Sequence, residues 1–163
     1  MKKIYTPSDR KMNVFVFFSG GASSLKAMID DPDYEKAYSV VGAYTDKENA
    51  KGREICRDAK IPDIFISRSE FYRQHFLNPK EELSRMKFYE MLTKELEQFK
   101  PDIIAMSGYM HIVSDPLLSE YHDRILNVHP ADLTILSSGT LSPVTVSRTD
   151  ALKATLLKNE NSF

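Results

Sequence analysis

The sequence predicts an α/β domain built on a doubly wound, mostly parallel sheet, and three observations carry that prediction. Two runs rich in branched and aromatic residues, Asn13–Phe18 and Tyr38–Tyr44, and a third, Ile103–Ser107, are nearly continuous in apolar side chains, as in strands buried on both faces. Segments with helical spacing separate them, so consecutive strands require crossovers and pair in parallel. Polar, turn-forming stretches follow the strands at Ser19–Ser24, at Gly108–Val113 and around Asn127, and in such sheets ligands bind at the carboxyl ends of the strands, near a switch in strand order.

Taken in order, residues 1–11 are polar and mixed in charge and read as a frayed N-terminal extension, with one domain over 12–163. Asn13–Phe18 is the first strand. It runs into Ser19-Gly-Gly-Ala-Ser-Ser24 and then Leu25–Ile29, which has helical spacing. Ser23 and Ser24 are candidates to cap that helix or to add hydroxyl donors. Tyr38–Tyr44 is the second strand; Asp46 is placed as a helix cap, followed by a helix to about Lys60 with Ile55, Cys56 and Ala59 inward. Pro62 closes that unit before a short third strand, Ile64–Ile66. Residues 67–80 read as a polar connection in which His75 is surface decoration. Glu81–Phe99 follows as a long amphipathic helix with Leu83, Met86, Tyr89, Leu92, Leu96 and Phe99 on its core face. Ile103–Ser107 is the fourth strand, a short helix around Tyr121 leaves His122 at the surface, and Ile125–Pro130 holds the fifth strand, which Pro130 ends.

Composition narrows the function classes. The 163-residue chain is 42% hydrophobic and 28% charged with a net charge of -1, an ordinary globular composition without the basic footprint of general nucleic-acid binding. Its single cysteine, Cys56, excludes an intramolecular disulfide and leaves a metal cluster without thiolates; Cys56 reads as a small core residue and no metal site is expected. No apolar run reaches the roughly 18 residues of a membrane span, and the N-terminus lacks the apolar segment of a signal peptide. A cytoplasmic protein is expected.

The chemistry is assigned to Asn127 and His129. In an extended segment residues spaced by two share a face, so both point to one cleft while Leu126 and Val128 pack. An amide that donates beside an imidazole that moves a proton suits attack on a carbonyl. Spacing alone equally describes a strand end with two polar residues facing water. Strand, Gly-Gly turn and helix start at Gly20–Ser24 aim backbone N–H groups at an anion, or make a tight turn and nothing more; the stretch is neither a dinucleotide fingerprint nor a Walker loop.

Three stretches together resemble the folate-dependent formyltransferases: Val14-Phe-Val-Phe-Phe-Ser-Gly-Gly-Ala-Ser-Ser-Leu25, Asp102-Ile-Ile-Ala-Met-Ser-Gly-Tyr-Met-His-Ile-Val-Ser114 and Leu126-Asn-Val-His-Pro130. The resemblance covers Met12 to about Leu136, and its most specific part is Asn-x-His-Pro after a Gly-aromatic-Met loop. It implies a Rossmann-like fold and transfer of a formyl group from 10-formyltetrahydrofolate, a co-substrate, to the amine of glycinamide ribonucleotide in purine synthesis. It further implies that Gly20, Gly21, Ala22, Ser23 and Ser24 cradle the substrate phosphate. Tyr109, Met110, His111, Ile112 and Val113 would line the pterin pocket, and Asn127 and His129 would be catalytic. The compact length and the missing basic surface favour this small substrate over a tRNA.

The departures from the family pattern concern the first turn, position 111 and the C-terminal part. The turn lacks the family's usual asparagines, so phosphate contacts would be dominated by backbone. His111 stands where an arginine is common, and reads either as a site residue or as a loop residue. The family's catalytic aspartate, in an Asp- and Gly-rich loop, has no counterpart before Phe163, and neither Asp132 nor Asp150 sits in a matching motif, so the domain is expected to be truncated at its C-terminus. Seven of the thirteen residues 137–149 are Ser or Thr; this segment reads as a local frame disturbance or inserted loop, or as a natural Ser/Thr-rich loop. A non-catalytic ligand-binding homologue is therefore the alternative to an active transferase.

Overall fold

A computed structural model describes residues 10–127, within a compact unit that ends at Asn127. Its elements alternate as expected: β1 (Met12–Phe18), α1 (Ser23–Ile29), β2 (Tyr38–Thr45), α2 (Gly52–Asp58), β3 (Asp63–Phe65), α3 (Arg68–Gln74), α4 (Glu82–Leu96), β4 (Ile103–Met106), α5 (Leu117–Glu120) and β5 (Ile125–Asn127). The strands form one sheet in the order β3-β2-β1-β4-β5, with every neighbouring pair parallel. This is the doubly wound, Rossmann-like arrangement expected. The order reverses between β1 and β4, so the chain leaves the sheet in opposite directions on either side of that pair. Among the described residues, no helix is long and apolar enough to cross a membrane.

Alternation along β1 divides the interior in two. Val14, Val16 and Phe18 pack with Leu25, Cys56 and Ile61 beneath α1 and α2, whereas Phe15 and Phe17 pack with Tyr44, Phe88, Tyr89 and Leu92 on the α3–α4 side. Cys56 is fully buried, as the sequence suggested, and burial pushes its thiol up to about 11. Where β1 meets β2 the register skips Val41: Val14 opposes Val40, but Phe15 opposes Gly42. A Cβ at Gly42 would stand 2.7 Å from the Phe15 ring and 2.8 Å from the Phe99 ring. Those rings are themselves packed edge-on at 5.0 Å, so neither can yield cheaply. Gly42→Ala is expected to cost about 1–3 kcal/mol through overpacking, read as a lower urea midpoint; an unchanged midpoint would contradict this contact.

Three readings of the packing are corrected. Residues 67–80 are not merely a connection: Ser67 caps α3 by accepting from the Glu70 N–H, and α3 buries Tyr72 and Arg68. The face of α4 is placed correctly from Tyr89 to Leu96, but Leu83 at its start is 72% exposed, because the apolar period continues past the point where other elements cover the helix. Leu126 is 49% exposed rather than packed. It opposes Ala105 on β4 and so lies on the α1–α2 side, and β5 is the sheet's edge among the described residues.

Candidate active site

Two loops leave the carboxyl end of the sheet around the β1–β4 switch, and β5 ends beside them at Asn127. After β1, Gly20 and Gly21 have open space where a side chain would project, with nothing within 4 Å. Ala22 then takes a left-handed conformation (φ 50°) as the N-cap of α1 and is buried. Ser23 is therefore already the first helical residue, and no side chain caps α1; the capping expected of Ser23 or Ser24 does not occur. The start of α2 is pressed onto the turn. The Gly52 N–H donates to the Gly20 carbonyl at 3.0 Å, and a Cβ on Gly52 would lie 2.6 Å from that of Ala22. Between them opens a cleft of about 540 Å³ lined by Ser19, Gly20, Gly21, Lys47, Asn49 and Lys51, among others.

Asp46, expected to cap a helix, instead ties the loops together. The N-cap of α2 is Lys51, too far along the chain for the Asp46 carboxylate to serve it. The Asp46 side chain is only 3% exposed. Its Oδ1 accepts from Ser19 Oγ at 2.6 Å, its Oδ2 pairs with His111 Nε2 at 2.9 Å, and Lys47 Nζ lies 3.7 Å away. Burial by itself would push this carboxyl up, but the hydrogen bonds from Ser19 and His111, with the charges of His111 and Lys47, hold it below the ordinary carboxylate value. A carboxyl whose folded pKa lies below its unfolded one contributes stability above the unfolded value, about 3.9, and loses it as pH falls through the folded value. Acidification below about pH 4 is accordingly expected to destabilise the wild type more than Asp46→Asn, measured by denaturant midpoints at pH 7 and in acid; parallel losses would contradict the depressed carboxyl.

The loop after β4 is held from behind by a cation the sequence reading missed. Arg68 is buried, and its guanidinium donates from Nη1 to the hydroxyls of Tyr89 (3.0 Å) and Tyr109 (3.2 Å) and from Nη2 to that of Tyr72 (3.0 Å). It also stands over the Phe88 ring at 4.6 Å. Tyr89 donates to the Ile112 carbonyl at 3.0 Å, which leaves Tyr109 to donate across the 3.2 Å contact to Tyr89. Burial pushes the Tyr44, Tyr89 and Tyr109 hydroxyls far up, so they stay neutral. The ring of Tyr109 thus belongs to the core and Val113 packs against it, whereas Met110 and Ile112 are 72% and 71% exposed. Of the five loop positions expected at the pterin pocket, the side chains of Met110, His111 and Ile112 remain available at the surface.

Beside these two loops, β5 closes with Asn127. It opposes Met106 at the end of the β4–β5 register, while the Ser107 N–H donates to the Phe17 carbonyl at 2.8 Å. The turn after β1, the loop after β4 and Asn127 therefore stand at the ends of three adjacent strands. Asn127 is exposed. His129 and the segment 137–149 lie outside the described residues. His122 is exposed beside Asp123 at 3.2 Å, and His75 is exposed against Phe71 at 4.5 Å, both as expected of surface residues.

The Formyl transferase family matches residues 12–135, a span that contains the turn after β1, the loop after β4 and Asn127. The chain belongs to this family. It is 32% identical over 121 residues to the phosphoribosylglycinamide formyltransferase of Escherichia coli (strain K12), a match covering 74% of this chain and 52% of that protein. It is 30% identical to the trifunctional purine biosynthetic protein adenosine-3 of Drosophila melanogaster, across 76% of this chain and 9% of that one. Among solved structures, the phosphoribosylglycinamide formyltransferase of Brucella melitensis superposes with a TM-score of 0.63 at 28% identity, covering 80% of this chain and 62% of that chain. The Streptococcus pneumoniae TIGR4 enzyme of the same name gives a TM-score of 0.60 at 27% identity, over 76% and 59%. This formyl transferase chain thus spans about half the length of the Escherichia coli relative.

Proposed function

We propose that this protein transfers a formyl group from 10-formyltetrahydrofolate to the primary amine of glycinamide ribonucleotide, a step of purine synthesis. The observation that carries the reading is the adjacency of three strand ends: the open glycine turn on β1, the exposed Met110–Ile112 segment after β4 and the Asn127 amide on β5. The names of the relatives support the choice of substrate. In this reading Gly20, Gly21, Ala22, Ser23 and Ser24 cradle the phosphate, chiefly through backbone N–H groups. Met110, His111 and Ile112 contribute side chains to the pterin pocket, and Tyr109 and Val113 contribute backbone.

The amine nitrogen attacks the formyl carbon, and the carbonyl electrons move onto oxygen. Asn127 donates a hydrogen bond to that oxyanion. The intermediate collapses with cleavage of the bond between the formyl carbon and folate N10. His129 takes the proton from the attacking nitrogen and delivers it toward N10, leaving formylated amine and tetrahydrofolate. Both substrates are small soluble metabolites, and we assign the protein to the cytoplasm. The test is to follow tetrahydrofolate release by the complete chain with both substrates present. Turnover that requires glycinamide ribonucleotide supports the reading; binding of both substrates without transfer would make this chain a ligand-binding homologue.

A further inference from the structure

The Asp46 carboxylate accepts hydrogen bonds from two loops to which the proposed function gives different ligands. Ser19 opens the turn assigned to phosphate, and His111 lies in the loop assigned to the folate. An ionised carboxylate only accepts, so Ser19 Oγ and His111 Nε2 both direct protons at Asp46, at 2.6 Å and 2.9 Å. The far side of the His111 loop is fixed: the Tyr109 hydroxyl is held by Arg68, and the Ile112 carbonyl by Tyr89. The contact of His111 with Asp46 then anchors that loop toward the turn after β1, and it shares its acceptor with Ser19 of that turn.

We propose that Asp46 is a positioning residue that couples the two ligands, so that phosphate at the Ser19 turn tightens the folate loop and folate tightens phosphate. The inference rests on the site assignments just made. A serine hydroxyl has one proton, and in the empty site Asp46 holds it. A phosphate entering the cleft lined by Ser19, Gly20, Gly21 and Lys47 competes for that proton and for the Lys47 ammonium, which stands 3.7 Å from the carboxylate. As both are drawn away, the buried charge of Asp46 is left to His111 and their contact strengthens, since a buried carboxylate short of donors is costly. The exchange runs in reverse with equal effect. Folate seated on the His111 loop stabilises the His111–Asp46 pair and releases the Ser19 proton to phosphate, because coupling between two bound ligands is reciprocal.

The experiment is calorimetric titration of the complete chain with glycinamide ribonucleotide, alone and with saturating tetrahydrofolate, which has no formyl group to transfer. In the wild type, tetrahydrofolate is expected to lower the dissociation constant of the ribonucleotide by about fivefold or more. In Ser19→Ala, which removes the shared proton but keeps the Asp46–His111 pair, the factor should fall to about one. Asp46→Asn should do the same. A purely structural role for Asp46 would leave the factor intact in Ser19→Ala, so that variant separates positioning from folding. Variants that bind both ligands with the wild-type factor would overturn the proposal, as would a wild type that binds both with no coupling. Failure of the wild type to bind either ligand would instead overturn the site assignment, and the coupling with it.

Discussion

Replacing Asn127 with alanine is expected to slow formyl transfer by about 10²- to 10³-fold while leaving the denaturation midpoint within about 0.5 kcal/mol of the wild type. The two halves of this expectation have different origins. Loss of rate follows from the oxyanion: a donor that meets charge formed only in the transition state contributes there and not to substrate binding, so kcat should fall and the KM for each substrate should hold. Retention of stability follows from position, since Asn127 is the last residue of β5, the sheet's edge among the described residues, and its side chain is exposed. His129→Ala should reduce the rate to a similar extent, because in the proposed mechanism amide and imidazole act on the same intermediate. Steady-state kinetics with both substrates varied checks this directly. Near-normal turnover in either variant would remove the assigned mechanism.

Arg68→Met should have the largest effect on stability, about 2–4 kcal/mol, since it removes a buried cation over an aromatic ring, takes the donor from the Tyr72 hydroxyl and strips one accepted hydrogen bond each from Tyr89 and Tyr109. Methionine fills much of the volume, so the loss reads out hydrogen bonding and charge more than a cavity. Three tyrosine hydroxyls and the Phe88 ring meet this guanidinium. Lysine keeps the charge but presents a single ammonium in place of a planar fork, and Arg68→Lys should recover only part of the loss. The relay through Tyr89 to the Ile112 carbonyl carries the effect to the loop after β4. Arg68→Met should therefore also raise the KM for 10-formyltetrahydrofolate more than that for glycinamide ribonucleotide. Urea denaturation and the two KM values check these points; a midpoint equal to that of the wild type would mean the tyrosines are satisfied without Arg68.

Much of the architecture follows from neighbours in the chain. The runs Met12–Phe18 and Tyr38–Thr45 are strands because branched and aromatic side chains suit a pleated surface covered on both sides, and the helices between them oblige parallel pairing. That argument also locates the end of the sheet at which the polar loops gather, and the open turn at Gly20 and Gly21 lies there. The position of Asn127 needed one fact more, that β5 pairs with β4 and not with an outer strand. Asn127 thereby stands beside the Tyr109 loop.

Asp46 was misplaced and Arg68 passed over for a common reason. An aspartate after a strand reads locally as a cap, and an arginine in a polar stretch reads locally as solvated. Their burial depends on partners far along the chain: Asp46 meets Ser19 and His111 across 27 and 65 residues, and Arg68 meets Tyr89 and Tyr109 across 21 and 41. Leu83 and Leu126 failed in the opposite sense, apolar by pattern but left exposed where covering elements run out. The sequence by itself determined which residues form the strands and the helices other than α3, and at which end of the sheet the polar loops gather, because those depend on period and on chain direction. Only the tertiary structure decided which polar groups are withdrawn from water. A charge is buried when several distant donors or acceptors converge on it, and convergence is a property of the packed sheet rather than of any segment.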